Sequence, residues 1–343
     1  FRERAENWRE LWDGANQLAH NYSCPQAYRT PVPEALYPTA YVRDRTIDYL
    51  AARREQEQPF FAFVSFPDPH HPFNPPGRYW DMYRPEDFEI RLPYGAHRNP
   101  TPPMRWLHEQ WQADGSQTTP ETAMMASEEE LRQVMALTAG MISCIDDAVG
   151  AIMNCLRQQG LYDNTVVCFN ADHGDYLGDF NMLFKGALPF DSITRVPFIW
   201  SDPDDRNPRR TEALASTIDL SPSILERAGL EPYAGLQGKS FLANLNGSAE
   251  LRDGLLIEYN DSGPRLGFEA PARVRSLVDE RYRMTIYQGH DWGELYDLKT
   301  DSDETQNLWD SAEHGEVKAR MSLGLAHHLA GLMDESPRAR RLA

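Results

Sequence analysis

The chain has 343 residues, of which 41% are hydrophobic, so it can bury a large core and build one large domain with a smaller one beside it. Its 52 acidic and 34 basic residues give a formal net charge of −18, which disfavours nucleic acid and anionic membrane surfaces as partners. An acidic protein that acts on an anionic substrate must therefore supply positive charge at its binding site.

The four cysteines show no CxxC spacing, and Cys144, Cys155 and Cys168 lie in apolar periodic segments. This pattern predicts buried reduced thiols rather than disulfides or zinc ligands. No apolar run reaches the length of a membrane span. The first residues, FRERAENWRE, show no apolar stretch of a signal peptide, and the compartment is left open between the cytoplasm and a periplasmic or secreted location.

The first elements predicted along the chain are a helix and a strand. Residues 41–54 place apolar side chains on one helical face and charged side chains on the other. PFFAFVSF, residues 59–66, is a short, aromatic-rich apolar run closed by a proline, which is typical of a fully buried parallel strand. A helix followed by such a strand is half of a βαβ unit.

Residues 67–120 are rich in proline and show little periodicity, so we expect a functional loop at the border of an active site. Its tryptophans, Trp80, Trp106 and Trp111, could stack on a sugar or an aryl ring of a substrate, or could equally be packing residues.

The middle of the chain alternates again between helix and strand. Apolar residues recur every three or four positions over 128–158, which predicts one long helix. Buried strands are predicted at 164–171 and 196–200. This alternation predicts an α/β sandwich with a mainly parallel sheet.

After residue 230 the pattern changes to short, turn-bounded segments at 255–260, 272–278 and 282–288, which predict an antiparallel sheet. An amphipathic helix follows, with its apolar stripe running from Val317 to Leu332. We therefore expect an α/β domain over residues 1–234 and a smaller α+β subdomain over residues 235–343.

Asp172 and His173 stand together where the strand predicted at 164–171 ends. In open α/β sheets, ligands bind beyond the carboxyl ends of the strands. A carboxylate and an imidazole at this place can ligate a divalent cation, and Gly174 lets the backbone turn tightly beside them. The alternative is that Asp172 caps a turn and His173 hydrogen-bonds the backbone.

Two further groups are expected at the same edge of the sheet. His70 or His71, in PDPHHPFNPP after the strand predicted at 59–66, could hydrogen-bond an anion or protonate a leaving oxygen. Taken alone, the pair would more simply be two surface histidines in a rigid loop. Lys185 is of a type that is usually solvated, but a lysine here could neutralise charge that develops on a metal-bound oxyanion. A cation, a lysine and a histidine together predict a receptor for a tetrahedral oxyanion.

Taken in order, these segments resemble the sulfatase family of the alkaline phosphatase superfamily over nearly the whole chain. The resemblance rests on PFFAFVSFPDPHHPFNPP, IDDAVGAIMNCLRQQGLYDNTVVCFNADHGDYLGDF, FKG, TRVPFIW, STIDLSPSILERAGL and GELYDLKTDSDETQNL. It implies an alkaline-phosphatase-like α/β/α sandwich with the smaller C-terminal α+β domain. By similarity, Asp172 and His173 match two metal ligands, and His70 and Lys185 match residues that hold the sulfate or phosphate oxygens and act in catalysis.

The chain departs from the family pattern at Asp175, where many members carry Glu, and at 180–181, where many carry His-Gly. The family also begins with a strand that ends in paired aspartates, followed by a C-x-P-S-R motif that yields a formylglycine nucleophile. Asp146–Asp147 lies in a predicted helix, and CPQAYR at Cys24 has the wrong spacing. We therefore expect that an N-terminal portion is missing, on the order of a hundred residues or more.

For the complete enzyme the resemblance implies hydrolysis of sulfate esters by the formylglycine, assisted by a divalent cation. Ca²⁺ is the first expectation, and Mn²⁺ is the alternative because it also suits a histidine ligand. This chain alone is expected to be inactive. A phosphonate monoester or phosphodiester hydrolase on the same scaffold stays open, as does an incomplete chain that binds an anion without turnover. The implied substrate is a small-molecule or carbohydrate sulfate ester; nucleic acid and membrane partners are not expected, and a homo-oligomer is left open.

Overall fold

The computed structural model describes residues 3, 5–54, 58–115, 122–233, 235–245 and 251–332. Within them, its helices and strands follow in chain order as α1 (Trp8–Trp12), α2 (Pro38–Ala51), α3 (Pro102–Asp114), α4 (Glu128–Gln158), β1 (Val167–Asn170), α5 (Asp191–Thr194), β2 (Phe198–Ser201), α6 (Leu220–Arg227), β3 (Leu255–Asn260), β4 (Arg273–Val278), β5 (Tyr282–Tyr287), β6 (Gly293–Asp297) and α7 (Gly315–Gly331).

The long helix α4 confirms the prediction for 128–158. It begins with a capping box, in which Ser127 and Glu130 hydrogen-bond each other's backbone amides. Its buried residues, Leu131 and Leu137 among them, pack against Phe73 and Leu183, which belong to the two loops that carry His70 and Lys185. By length and composition alone α4 could cross a membrane, contrary to the expectation from the sequence, but its packing is that of a core helix.

Helix α3 lies inside the segment predicted to be a loop. Pro102 and Pro103 occupy its first turn, where their missing amide protons are tolerated. Met104 and Leu107 are fully buried on one face and join the main hydrophobic cluster. The many prolines around the helix hid a short amphipathic stripe that begins directly after them.

Strands β1 and β2 pair antiparallel, from Val167 opposite Ser201 to Asn170 opposite Phe198. The parallel pairing predicted for this part of the chain is therefore not seen among the described residues. The strand predicted at 59–66 is wrong: none of the described residues pairs with it through the backbone. Phe61 and Phe63 are 67% and 82% exposed. An apolar run becomes a buried strand only where neighbouring strands cover it, and the described residues supply none beside this segment.

The C-terminal part confirms the predicted antiparallel sheet and final helix. The sheet has the order β3-β4-β5-β6, of which β6 was not predicted. One face packs on α7 through Met284, Leu295 and Met321. The other face, with Tyr287 and Tyr296, shares a core with the middle of the chain. A boundary between residues 234 and 235 stays a prediction.

All four cysteines are free thiols, as predicted, but Cys168, which was predicted to be buried, is only partly so. Burial raises the pKa of the Cys24 thiol to about 12, which keeps it protonated and unreactive.

Candidate functional site

The turn after β1 carries Asp172 and His173. The Asp172 carboxylate accepts a hydrogen bond from the His173 amide at 2.9 Å, and its other oxygen lies 3.6 Å from His173 Nε2. The Asp172 side chain is 87% exposed. His173 Nδ1 donates to the Gly174 carbonyl at 2.8 Å, which leaves Nε2 as the ring nitrogen that can bind a ligand.

Gly174 is required by a close approach of two backbones. A Cβ atom there would lie 1.9 Å from the carbonyl oxygen of Ser192, just after α5 begins. The Gly174 amide donates to the Ile193 carbonyl at 2.8 Å. The turn that carries Asp172 and His173 is thus fastened to α5.

The loop that carries Lys185 is fastened to the same turn. The Tyr176 amide donates to the Phe184 carbonyl at 2.8 Å, and Phe184 has a left-handed φ of 63°. Lys185 is half-buried, and no carboxylate among the described residues lies within ion-pair distance of it. A half-buried ammonium without a counterion is uncommon in so acidic a chain, and it is available to an anion.

Stacked rings bring the histidine loop to Lys185. The rings of His70 and His71 stack at 4.1 Å, and the His71 ring lies 4.4 Å from that of Phe184. His70 Nδ1 donates to the His71 carbonyl at 2.6 Å, so its Nε2 is the ring nitrogen left for a ligand. Upstream, Asp68 accepts hydrogen bonds from the hydroxyls of Tyr37 and Thr39, which anchors the loop.

Asp175 was assigned no role from the sequence, and His71 was named only as the alternative to His70. Burial raises the pKa of Asp175, while the charges of Lys185, His173 and His70 oppose that rise. Its buried Oδ1 has no hydrogen-bond partner. Burial, helped by the charges of His70 and Lys185, lowers the pKa of His71 to about 4, so this ring is neutral at pH 7. The DHGD spacing was the one signal that could have pointed to Asp175.

The four residues predicted for the site therefore lie in two adjoining groups. The His70 ring stacks on that of His71, whose ring contacts Phe184 next to Lys185. Asp172 and His173 lie on the turn that is hydrogen-bonded to the lysine loop. The charges of all four residues affect the pKa of Asp175. Their shared position does not by itself assign their roles.

The donor set can be compared with what a cation requires. A separation of 3.6 Å between the Asp172 oxygen and His173 Nε2 is close to that of two ligands on one cation, about 3 to 4 Å. The tautomer of His173, with Nδ1–H on a carbonyl, is also the one that metal-bound histidines adopt. In the part of the chain that the structure describes, however, no group of three His, Cys, Asp or Glu side chains is placed to hold a metal ion. Asp172 and His173 thus fit as part of a ligand set.

The C-terminal sheet supports this site through buried charges. Arg283 on β5 forms ion pairs with Glu294 and Glu304, and all three side chains are buried. Glu304 also accepts a hydrogen bond at 2.6 Å from the backbone amide of Asp191, the first residue of α5. Because α5 holds the Gly174 turn, the sheet fixes the position of the turn across the shared core.

The three tryptophans of the 67–120 segment have different places. Trp80 is 4% exposed and stacks on Tyr22, and Trp111 packs against the main cluster. Trp106 lines a cavity. Asp146–Asp147 lies on the outside of α4, where Asp147 pairs with Arg78, so it is not part of the site.

Comparisons with known proteins agree with this architecture. The sulfatase family model matches residues 5–230, and the model of the N-sulphoglucosamine sulphohydrolase C-terminal region matches residues 178–330. An arylsulfatase of Clostridium perfringens is 27% identical over 92% of this chain and 62% of its own length. The multifunctional alkaline phosphatase superfamily protein PehA of Trinickia caryophylli is 28% identical over 89% of this chain and 62% of its own length. The chain thus spans less than two thirds of these relatives.

Solved structures also match. The phosphonate monoester hydrolase of Silicibacter pomeroyi superposes with a TM-score of 0.78 at 23% identity, over 98% of this chain and 71% of its own. That of Agrobacterium radiobacter gives a TM-score of 0.76 at 25% identity, over 99% and 72%. These superpositions confirm the predicted alkaline-phosphatase-like α/β fold with its C-terminal antiparallel domain. With a family model that covers most of its length, the chain belongs to the sulfatase family of the alkaline phosphatase superfamily.

Proposed function

We propose that this chain supplies the anion-binding part of a metal-assisted hydrolase of sulfate esters. The observation that carries the proposal is Lys185, a half-buried ammonium without a described counterion, held beside the stacked histidines in a chain of net charge −18. A tetrahedral oxyanion matches such a site in charge, and the sulfatase relatives act as precedent for the substrate class.

In this proposal Asp172 and His173 hold a divalent cation, Ca²⁺ first and Mn²⁺ as the alternative. The Asp172 carboxylate suits both ions, whereas the His173 imidazole suits Mn²⁺ better than Ca²⁺, whose ligands are mainly oxygens. When bound, such a cation polarises an oxygen of the ester group. In this proposal further carboxylates come from outside the described residues, among which no group of three His, Cys, Asp or Glu side chains is placed to hold a metal ion.

Lys185 and His70 act on the ester itself. The Lys185 ammonium stabilises negative charge on a non-bridging oxygen as it develops in the transition state. In its imidazolium form, His70 donates the Nε2 proton to the departing alkoxide, while its Nδ1–H stays on the His71 carbonyl and fixes the ring.

The nucleophile in this proposal is a formylglycine that stands outside the 343 residues. No described residue combines a nucleophile with the neighbouring ligands that the resemblance requires, so we expect the chain alone to be inactive. It would still bind an anion without turnover.

A second candidate is a phosphonate monoester or phosphodiester hydrolase. It is favoured by the two phosphonate monoester hydrolase structures, which superpose on nearly the whole chain. The same cluster of charges suits a phosphonate as well as a sulfate, because both present tetrahedral anionic oxygens.

The test is a side-by-side assay of 4-nitrophenyl sulfate and a 4-nitrophenyl phosphonate monoester, with Ca²⁺ or Mn²⁺ added. It uses the 343-residue chain and a polypeptide extended at its N-terminal side as far as the source gene encodes. We expect the extended protein to cleave the sulfate faster. Lys185→Met should lower turnover about a hundredfold, because a charge on the transition state is lost. Lys299→Met, at an exposed lysine in the turn after β6, is the matched control.

Faster cleavage of the phosphonate would favour the second candidate. Strong metal-dependent hydrolysis by the 343-residue chain alone, abolished by Asp172→Ala, would contradict the proposal that the nucleophile lies outside this chain. Metal analysis that finds no cation in the extended protein would overturn both hydrolase proposals.

A further inference from the structure

Residues 176–184 form a closed loop between the two groups of the candidate site. Asp175 directly precedes this loop and Lys185 directly follows it. The Tyr176 amide donates to the Phe184 carbonyl at 2.8 Å and closes the loop at its base. The conformation of the loop therefore helps to decide where the lysine stands relative to the turn that carries the predicted cation ligands.

The backbone of this loop is strained. Four of its residues other than glycine have a left-handed φ, with angles of 44°, 54°, 62° and 63°: Leu177, Phe180, Asn181 and Phe184. This conformation costs free energy in residues that carry a Cβ atom, and it persists only where the surrounding structure imposes it. Of these residue types, asparagine tolerates it best. Contacts with other segments therefore hold the loop in its shape.

Asn181 ties the loop to two of these segments. Its Oδ1 accepts a hydrogen bond from the Tyr94 amide at 2.7 Å, and its Nδ2 donates to the Ala126 carbonyl at 2.9 Å. Asn181 is 8% exposed, so water does not compete for these bonds. Backbone bonds extend the attachment, because the Ala126 amide donates to the Asn181 carbonyl and the Leu183 amide donates to the Met124 carbonyl. Residues 181–183 are thus fixed to the segment before α4.

This attachment reaches the anion site. Leu183 lies two positions before Lys185. Gly186, the residue after the lysine, would place a Cβ atom 3.5 Å from the Met124 side chain, which belongs to the segment that Asn181 binds. The lysine is therefore flanked on both sides by residues that contact this segment. A shift of residues 181–183 would move the backbone that carries the ammonium.

We propose that Asn181 is a positioning residue for Lys185, which it holds beside the histidine loop. Asn181 acts through the backbone of residues 181–183, and the anion contacts the lysine. Because the lysine is held in place before the anion binds, less conformational entropy is lost on binding. The inference rests on the proposed function for the identity of the anion as a sulfate group.

The test is NMR of the 343-residue chain with lysine labelled with ¹³C at Cε. The sequence contains four lysines, so the spectrum is simple, and the Lys185 signal is the one missing in Lys185→Met. We expect added inorganic sulfate to shift this signal in the parent chain. Asn181→Gly tolerates the left-handed φ but lacks both side-chain bonds. It should move the Lys185 signal of the free chain and weaken sulfate binding at least about fivefold, because binding groups must be held within about 0.5 Å of their geometry.

Asn307→Ala is the matched control. Asn307 is also 8% exposed, and its side chain accepts a hydrogen bond from the Leu295 amide and donates to the Gly293 carbonyl in the C-terminal sheet. This variant should unfold at a lower urea concentration but keep the Lys185 signal and the sulfate affinity of the parent chain. The proposal is overturned if both variants lose sulfate affinity equally, or if folded Asn181→Gly keeps the parent's signal and affinity.

Amide hydrogen exchange of the parent chain provides a second measurement, should near-ultraviolet circular dichroism show that Asn181→Gly is misfolded. If Asn181 positions the lysine, sulfate must stabilise the Asn181 bonds in return. Sulfate should therefore slow exchange of the Tyr94 amide more than that of the Leu295 amide, which bonds to Asn307. Equal effects on the two amides would overturn the proposal.

The proposed function fails separately from this inference. If sulfate leaves the Lys185 signal of the parent chain unmoved, the anion site is refuted. The signals of the sulfate-free parent chain and of sulfate-free Asn181→Gly then still decide whether Asn181 positions the lysine, because that comparison involves no ligand.

Discussion

Replacing Gly174 by alanine should destabilise the fold at the centre of the candidate site. The added Cβ would lie 1.9 Å from the Ser192 carbonyl oxygen, whereas real Cβ atoms come no closer than 3.0 Å, so turn and helix must part by at least 1.1 Å. That movement breaks the hydrogen bond of 2.8 Å from the Gly174 amide to Ile193. The lost hydrogen bond costs about 1 kcal/mol and the overpacking about 2 kcal/mol, so we expect a loss of about 3 kcal/mol.

Urea unfolding, followed by tryptophan fluorescence and circular dichroism, measures this loss. Gly150→Ala is the matched control, because Gly150 is an exposed glycine inside α4 with no atom within 4 Å of its Cβ position. That variant should gain about 0.5 to 1 kcal/mol from the better helix propensity of alanine. If Gly174→Ala unfolds within about 0.5 kcal/mol of the parent chain, the turn and α5 are not packed as described.

Two further predictions concern buried and exposed rings. Burial lowers the pKa of His97 to about 4, so the folded chain resists a proton that the unfolded chain accepts near pH 6.5. As the pH falls from 7 to 5, His97 therefore lowers the free energy of unfolding by about 2 kcal/mol. Urea titrations at both pH values should show that His97→Gln loses about 2 kcal/mol less than the parent chain. An equal loss in the variant and the parent chain would contradict this role of His97. Phe63 is 82% exposed, so Phe63→Ser should change the free energy of unfolding by less than about 0.5 kcal/mol. Phe73 is 3% exposed, so Phe73→Ala should lower that free energy by about 3 to 5 kcal/mol. Equal losses in one unfolding assay would mean that Phe63 is covered in solution.

The long helices could be predicted because their signal is local. In α4 the capping box, the acidic first turn and the apolar stripe all lie within the helix, and they fix both of its ends. Helix α3 escaped because its apolar stripe is short and two prolines in its first turn resemble loop residues.

The segment 59–66 failed for a different reason. Its composition is that of a buried strand, but a strand exists only through hydrogen bonds to neighbours that the segment does not itself encode. With no described partner, the same residues form no strand and are mostly exposed. The hydrophobic pattern therefore showed that this segment could form a strand inside a sheet, but whether it does so depends on strands that would pair with it.

The candidate site combines both kinds of information. The residue types of His70, Lys185, Asp172 and His173 could be selected from the sequence, because each follows a strand-like run or a glycine turn. Their order in space could not, since it depends on the contact between the rings of His71 and Phe184 and on the hydrogen bond from Gly174 to α5. Neither the ring contact nor this backbone hydrogen bond can be predicted from the spacing of residues in the motif. In a chain of net charge −18, the described residues place no carboxylate within ion-pair distance of Lys185, although its charge acts on Asp175, and this arrangement is visible only in the folded chain.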